Sequence, residues 1–333
     1  MKRLSSFTLL ALIGPVLALS TFATTEENIS KTLPAKSGGT LVVDVDMGSV
    51  DVSTHPSDEV SIQVWRKVTR GSKSDEEAYL KDRPVKISSD GDVVTILTKG
   101  PNTRSLFSLF KGGSTSAKYT VKVPQKYNAR LNTAGGGIKV VNLEGEVKAH
   151  TSGGGLDFQR LRGPLEGNTS GGGVKVAECE GALKVSTSGG GISVNGGSGT
   201  LNGSTSGGGV TVKDFTGETS VHTSGGSITI DNVPSAVSAS TSGGSVHARL
   251  PRWEGAPVKL STSGGSIEVV VPEKSAFNLD ASTSGGSVRS ELPVTVTGKV
   301  ERNHLKGPVN GGGNTVHLRS SGGGITVKKL SSS

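Results

Sequence analysis

The residues able to do chemistry are few and widely spaced. Glu178 and Asp214 occupy the same position of an internal repeat, two units apart, with Gly196 between them. In a stacked β structure they would sit about 10 Å apart at the usual strand spacing. That is close to the roughly 6.5–9.5 Å of an inverting glycosidase pair, and some parallel β-helix proteins do cleave polysaccharides. Glu178, however, has a simpler role as the ion-pair partner of Arg160, and no acidic cluster flanks either carboxylate. No catalytic residue is therefore assigned. A polysaccharide hydrolase or lyase is kept as the alternative to a non-catalytic protein.

Metal and cofactor chemistry find less support. His150 and His222 are four units apart, about 19 Å at strand spacing, too far to share a metal. No Cys/His cluster has zinc spacing. Cys179 is the single cysteine, which excludes an intramolecular disulfide. The glycine runs recur in every unit, lack a P-loop lysine and precede strand-like segments, so they are not nucleotide loops. They also lack the aspartate of calcium-binding nonapeptides. No cofactor and no metal is expected.

The element that would position these residues is the repeat itself. Thr-Ser-Gly-Gly begins at Thr151, Thr169, Thr187, Thr205, Thr223 and Thr241, a step of 18 residues, then at Thr262 and Thr283, a step of 21. Thr-Ala-Gly-Gly at Thr133 is in register with them. With this Thr as position 1, positions 6 and 8 are apolar (Ile138 and Val140, Ile192 and Val194), as are most residues at 11 and 15. Alternation at 6/8 and at 15/17 is strand periodicity, and the glycines at 3, 4, 5 and 13 mark corners. The expected fold is all-β, a right-handed parallel β-solenoid of 18-residue coils, with a short N-terminal helix.

Position 7 reads Lys139, Asp157, Lys175 and position 12 reads Glu144, Arg162, Glu180. Signs that alternate down a column fit coils stacked in register. Position 1 shares parity with the apolar 15 and 17. Its Thr is therefore expected to point inward and bond corner backbone, rather than form a water-ordering face.

Residues 1–23 read as a signal peptide, with Lys2 and Arg3 before the apolar Leu9–Leu19 and small residues at Thr21-Phe22-Ala23. Their removal lowers the net charge from +8 to +6. There is no basic cluster or aromatic stacking set for nucleic acid, and no later segment apolar enough to span a membrane. Residues 24–39 read as a linker. Residues 40–129 read as an N-terminal β region with a variable loop and a helix near Ser74–Asp82, from the capping box at Ser74 and Glu77. Residues 130–330 read as the solenoid repeats. Within the loop, Leu106, Phe107, Leu109 and Phe110 form an apolar patch between Arg104 and Lys111. It is read as a cap over a solenoid end or as a docking lip for a membrane or partner.

The order of the pieces carries a resemblance. Met47-Gly48-Ser49-Val50-Asp51-Val52 comes first. Glu76-Glu77-Ala78 and Tyr119-Thr120-Val121-Lys122-Val123-Pro124 follow. Tandem Thr-Ser-Gly-Gly coils come next, then a closing Gly307-Pro308-Val309-Asn310-Gly311-Gly312-Gly313 and Ser321-Gly322-Gly323-Gly324-Ile325 pair. Over roughly residues 40–330 this resembles the bacterial β-strand-repeat family of unknown function labelled "putative adhesin". The resemblance implies a β-solenoid of the bacterial envelope with no assigned catalytic residues. The combined expectation is an exported periplasmic or cell-surface protein, a non-enzymatic binding or scaffolding module. Its partners would be an envelope polysaccharide, another protein, or a second copy through the solenoid ends.

Overall fold

The computed structural model describes residues 23–100, 113–297 and 301–331. The N-terminal part contains β1 (Ala23–Pro34), β2 (Thr40–Val45), β3 (Ser49–His55), β4 (Glu59–Arg70), α1 (Lys73–Asp82), β5 (Lys86–Asp90), β6 (Val93–Thr98) and β7 (Ser114–Pro124). The regular coils supply β8 (Asn128–Thr133), β9 (Ile138–Val141), β10 (Val147–Thr151), β11 (Leu156–Gln159), β12 (Leu165–Thr169), β13 (Val174–Thr187), β14 (Ile192–Thr205), β15 (Val210–Lys213), β16 (Thr216–Thr223), β17 (Ile228–Asp231), β18 (Val237–Thr241) and β19 (Val246–Arg249). The C-terminal part adds β20 (Val258–Thr262), β21 (Ile267–Val271), β22 (Phe277–Thr283), β23 (Val288–Ser290), β24 (His304–Val309), β25 (Thr315–Ser320) and β26 (Ile325–Lys329).

The strands stack as two long parallel ladders. In the first, Ile138 pairs with Leu156 and Leu156 with Val174; in the second, Val147 pairs with Leu165 and Leu165 with Leu183. Each residue thus meets its equivalent 18 positions on, and 21 on where Val237 meets Val258. A third, short ladder runs through Lys126, Glu144, Arg162 and Glu180. It merges two strands into the continuous β13 and β14, whose register carries Glu180 onto Ser198. The alternating apolar side chains of both long ladders, with Leu143, Leu161, Cys179, Phe215 and Val233 between them, fill one continuous core.

The corners explain the glycines. Each inward Thr hydroxyl donates to a glycine carbonyl of the preceding coil, as in Thr151 Oγ1 to Gly136 O and Thr205 Oγ1 to Gly190 O, both 2.7 Å. The same oxygen accepts from its own corner, Gly208 N–H to Thr205 Oγ1 at 3.3 Å. A Cβ on Gly208 would lie 2.2 Å from Gly190 O, so only glycine lets the coils approach to strand spacing. At position 13, Gly199 has φ +122° and a Cβ there would fall 2.1 Å from Gly181 O.

The chain order departs from the spatial order at both ends. β2 lies between β6 and β8, and β3 between β7 and β9, so the first coil is covered by a later one. At the other end β25 lies between β20 and β22, and β26 between β21 and β23. The Thr ladder follows the spatial order: Ser320 Oγ donates to Gly265 O, and Thr283 Oγ1 to Gly323 O. Antiparallel strands close the stack, β24 on β22, β5 on β6, and β4 on β7 with β1 outside it.

Two expectations are corrected, and the expected helix near Ser74–Asp82 is found as α1. Residues 24–39 are not a linker over most of their length, because β1 pairs along its whole length with β4. Its alternating Thr25, Glu27, Ile29 and Leu33 are the half-buried side of that strand. The boundary at residue 130 does not separate two units, since β8 pairs with β2 and β9 with β3 in the same stack. The helix is present but starts earlier: its N-cap is Ser72, whose Oγ accepts from Asp75 N–H. Buried Glu76 fixes the helix to β1 and β4, accepting from Thr25 Oγ1 at 2.7 Å and Arg70 N–H at 2.9 Å. The Arg70 and Arg83 guanidinium groups lie over the Tyr79 ring, each 4.4 Å from its centroid.

Two stability measurements check the corner chemistry. Gly199→Ala should destabilise by about 2–4 kcal/mol in chemical denaturation, through backbone collision and left-handed strain. Gly135→Ala, where a Cβ would meet nothing nearer than Met47 Cγ at 3.7 Å, should stay within about 0.5 kcal/mol of the parent. Thr205→Val should cost about 1–3 kcal/mol by stranding Gly190 O and Gly208 N–H, and Thr205→Ser should recover most of the loss.

Candidate binding faces

Because side chains alternate along a strand, the inward core dictates two outward columns on each long ladder. On the first ladder these are Ser193, Thr211, Thr229 and beside them Asn195, Lys213, Asp231. On the second they are Asn202, Ser220, Ser238 and Ser204, His222, Ser240. Neighbours in a column bond one another: His222 Nδ1 lies 2.9 Å from Ser240 Oγ, and Arg249 Nη1 3.3 Å from Asp231 Oδ1. Met47 and Val93 are the exposed large apolar residues among those described. The two sheet faces are therefore polar and carry no broad apolar patch.

The charged columns pair as stacking requires. Lys139 reaches Asp157 at 3.8 Å, Arg162 lies between Glu144 (4.0 Å) and Glu180 (3.6 Å), and Lys184 reaches Glu166 at 3.7 Å. All are half-buried or exposed, so each contributes little. One expected pair is absent: Arg160 Nε donates to Asn142 Oδ1 at 2.7 Å rather than to Glu178.

Position 10 is the feature that sequence reasoning missed. Asn142, Arg160, Glu178, Gly196, Asp214 and Asn232 all have positive φ, between 50° and 71°. The Asn, Asp and Gly in this column were the available signal, since these residues favour the left-handed region. The turn aims the column's side chains along the edge of the solenoid. Asn232 Nδ2 donates to Asp214 Oδ1, and Arg252 Nε donates to Asn232 Oδ1 at 2.8 Å. Asn142, Arg160, Glu178 and the ion-paired Glu144, Arg162 and Glu180 line an open groove of ≈ 400 Å³. Asp214 is not part of it, so Glu178 and Asp214 do not converge on one recess.

Other chemically able residues are placed as follows. Cys179 is in the core column, where burial pushes its thiol pKa up. That keeps it protonated and unreactive. Among the described residues no group of three His, Cys, Asp or Glu is arranged to hold a metal, and no helix is long and apolar enough to cross a membrane. Leu106, Phe107, Leu109 and Phe110, expected as a cap or docking lip, and all of the expected signal peptide 1–23 but Ala23 lie outside the described residues.

One half-buried cluster ties the threaded C-terminal coil in place. Asp280 on β22 accepts from Arg319 Nη2 of β25 at 2.9 Å. It also has His317 Nδ1 at 3.5 Å and His304 Nε2 of β24 at 3.7 Å. Burial works to raise its carboxyl pKa. The Arg319 hydrogen bond and the attraction of Arg319, His317 and Lys306 outweigh that and hold it below the usual value.

Comparison with known proteins gives the following. Residues 40–328 match the family profile described as Toastrack DUF4097. No curated protein matches the chain. Among solved structures, one described as a "putative adhesin" from Bacteroides fragilis is 14% identical, covering 91% of this chain and 97% of its own, with a TM-score of 0.32. A "putative adhesin" from Parabacteroides merdae is 12% identical, covering 92% and 97%, with a TM-score of 0.29. A "Putative lipid binding protein" from Parabacteroides distasonis is 10% identical, covering 91% and 97%, with a TM-score of 0.33.

Asp280 yields a pH test. A carboxyl whose folded pKa is depressed adds stability above its unfolded pKa, and that stability is lost as pH falls through the folded value. Asp280→Asn should therefore lower stability by about 1 kcal/mol at pH 7. The difference from the parent should close at pH values below the ordinary aspartate pKa of about 3.9. Thermal unfolding of both proteins across pH 2–7 checks this.

Proposed function

Because the chain belongs to the Toastrack DUF4097 family, whose members include proteins of unknown function, we propose that it is a non-catalytic, exported envelope protein. It acts as a rigid adhesin-like binding or scaffolding solenoid that engages glycan or protein along its polar faces. The supporting observation is the pair of long polar ladders, whose outward columns repeat hydroxyl, amide and charged side chains at strand spacing. Glycan hydroxyls and protein backbones are recognised by such regularly spaced donors and acceptors. We read the winding as right-handed, from the general bias of parallel crossovers. Residues 1–23 are read as a cleaved leader delivering the protein to the periplasm or cell surface. The mild positive charge would favour association with anionic envelope polymers.

The polysaccharide-active enzyme remains the alternative, and one experiment separates the two. The purified protein is incubated with envelope polysaccharides and assayed for co-sedimentation and for new reducing or unsaturated ends. Co-sedimentation without new ends is the expected result. New ends that vanish in Glu178→Gln or Asp214→Asn would replace the scaffold with an enzyme.

A further inference from the structure

The two ends of the solenoid are closed differently. At the C-terminal end, β24 carries Pro308, and its outer edge is taken by Val294 and by Thr295 N–H, which donates to Pro308 O at 3.0 Å. β23 has three residues, and Val288 N–H is already bonded to Arg302 O. At the N-terminal end, β1 is a 12-residue edge strand and β5 a five-residue one, each paired on one side alone among the described residues. Ile29, Leu33, Val85 and Ile87 are half-buried against the core at this end. An edge of this length normally invites pairing unless its side chains oppose it.

The side chains here favour one particular pairing. If two copies meet edge to edge about a twofold axis perpendicular to the sheets, strands pair antiparallel and one residue of each strand must face itself. Directly opposed residues must also point to the same side. On β1, centring on Ile29 sets Glu27 opposite Lys31 and Thr25 opposite Leu33. On β5, centring on Ser88 sets Lys86 opposite Asp90. The β5 edge is thus self-complementary in charge, twice by symmetry, while on β1 Glu27 is also held by Arg66 of β4. The two centres also lie near one another across the solenoid, because Lys31 Nζ donates to Ile87 O at 3.0 Å. The α1 helices, seated at the Thr25 end of β1, fall on opposite sides of the axis.

We propose that the N-terminal end of the solenoid, built from β1 and β5, is a homotypic interface. It joins two copies of this chain head to head through antiparallel β1–β1 and β5–β5 pairing. The product is a doubled solenoid whose two long sheets run unbroken across the axis, with Ile29, Leu33, Val85 and Ile87 covered. This goes beyond the binding role proposed above and stands whether or not a glycan is found.

The test uses the exposed residues of β5, which hold no part of the core. Sedimentation velocity over a concentration series should show a monomer–dimer equilibrium. Lys86→Asp and Asp90→Lys should each weaken it about tenfold or more, since each replaces two attractive pairs with two repulsive ones. The double variant should restore it. Ser88→Cys should form a disulfide dimer under mild oxidation, with Cys179 buried and silent, while Lys86→Cys and Asp90→Cys should cross-link efficiently when mixed and poorly alone. A protein that stays monomeric throughout the series, or a dimer indifferent to these reversals and not linked through position 88, overturns the proposal.

Discussion

The corner hydrogen bond between a buried threonine and a glycine of the preceding coil is the constraint on which the stack depends. Its geometry brings backbone against backbone at the corner, with Thr Oγ1 acting both as donor to one coil and acceptor from its own. A buried hydroxyl without such partners would be costly; with both it satisfies groups that no ladder reaches. The glycines follow from it, because any Cβ at Gly154, Gly172 or Gly190 would overlap the carbonyl of the preceding coil. Threonine and glycine are thus two halves of one contact.

From that contact the rest of the surface follows. Coils held in register carry every outward position into a column, so residue type at one position becomes a property of a whole face. Charges alternate where they would otherwise repel, as along Glu144, Arg162 and Glu180. Small hydroxyl and amide residues fill the middle coils, where hydrogen bonds such as His222 to Ser240 replace ion pairs. The result is a long polar surface of fixed spacing.

The ends obey a different rule. A solenoid exposes its last coil to pairing, and here each terminal coil is threaded between two others, with antiparallel strands laid outside. Threading places β2 and β25 where both neighbours pair with them. It also gives Asp280 its work, since that carboxylate links the threaded coil to the strands beside it. Most of these pairings join segments distant in the chain, so their formation requires closing long loops.

Much of this was legible in residue order. An 18-residue period of Thr-Ser-Gly-Gly with apolar 6, 8, 11 and 15 fits no common alternative to a stacked β-coil, and alternating charges such as Lys139 and Asp157 gave the register. The inward Thr followed from parity alone. The left-handed column at position 10 was visible only in part, because Arg160 and Glu178 hide the conformation that Asn142, Asp214 and Asn232 suggest. β1 escaped notice because its sequence, with Glu26, Glu27 and Lys31, alternates weakly; its partner β4 lies beyond β2 and β3 in the chain and decides it. Local period and parity are carried by neighbouring residues, so the coil, its core and its glycine corners could be read directly. The threaded ends, the edge strands and the partner of Arg160 depend on which distant segments come to lie side by side, and that is settled only when the whole stack forms.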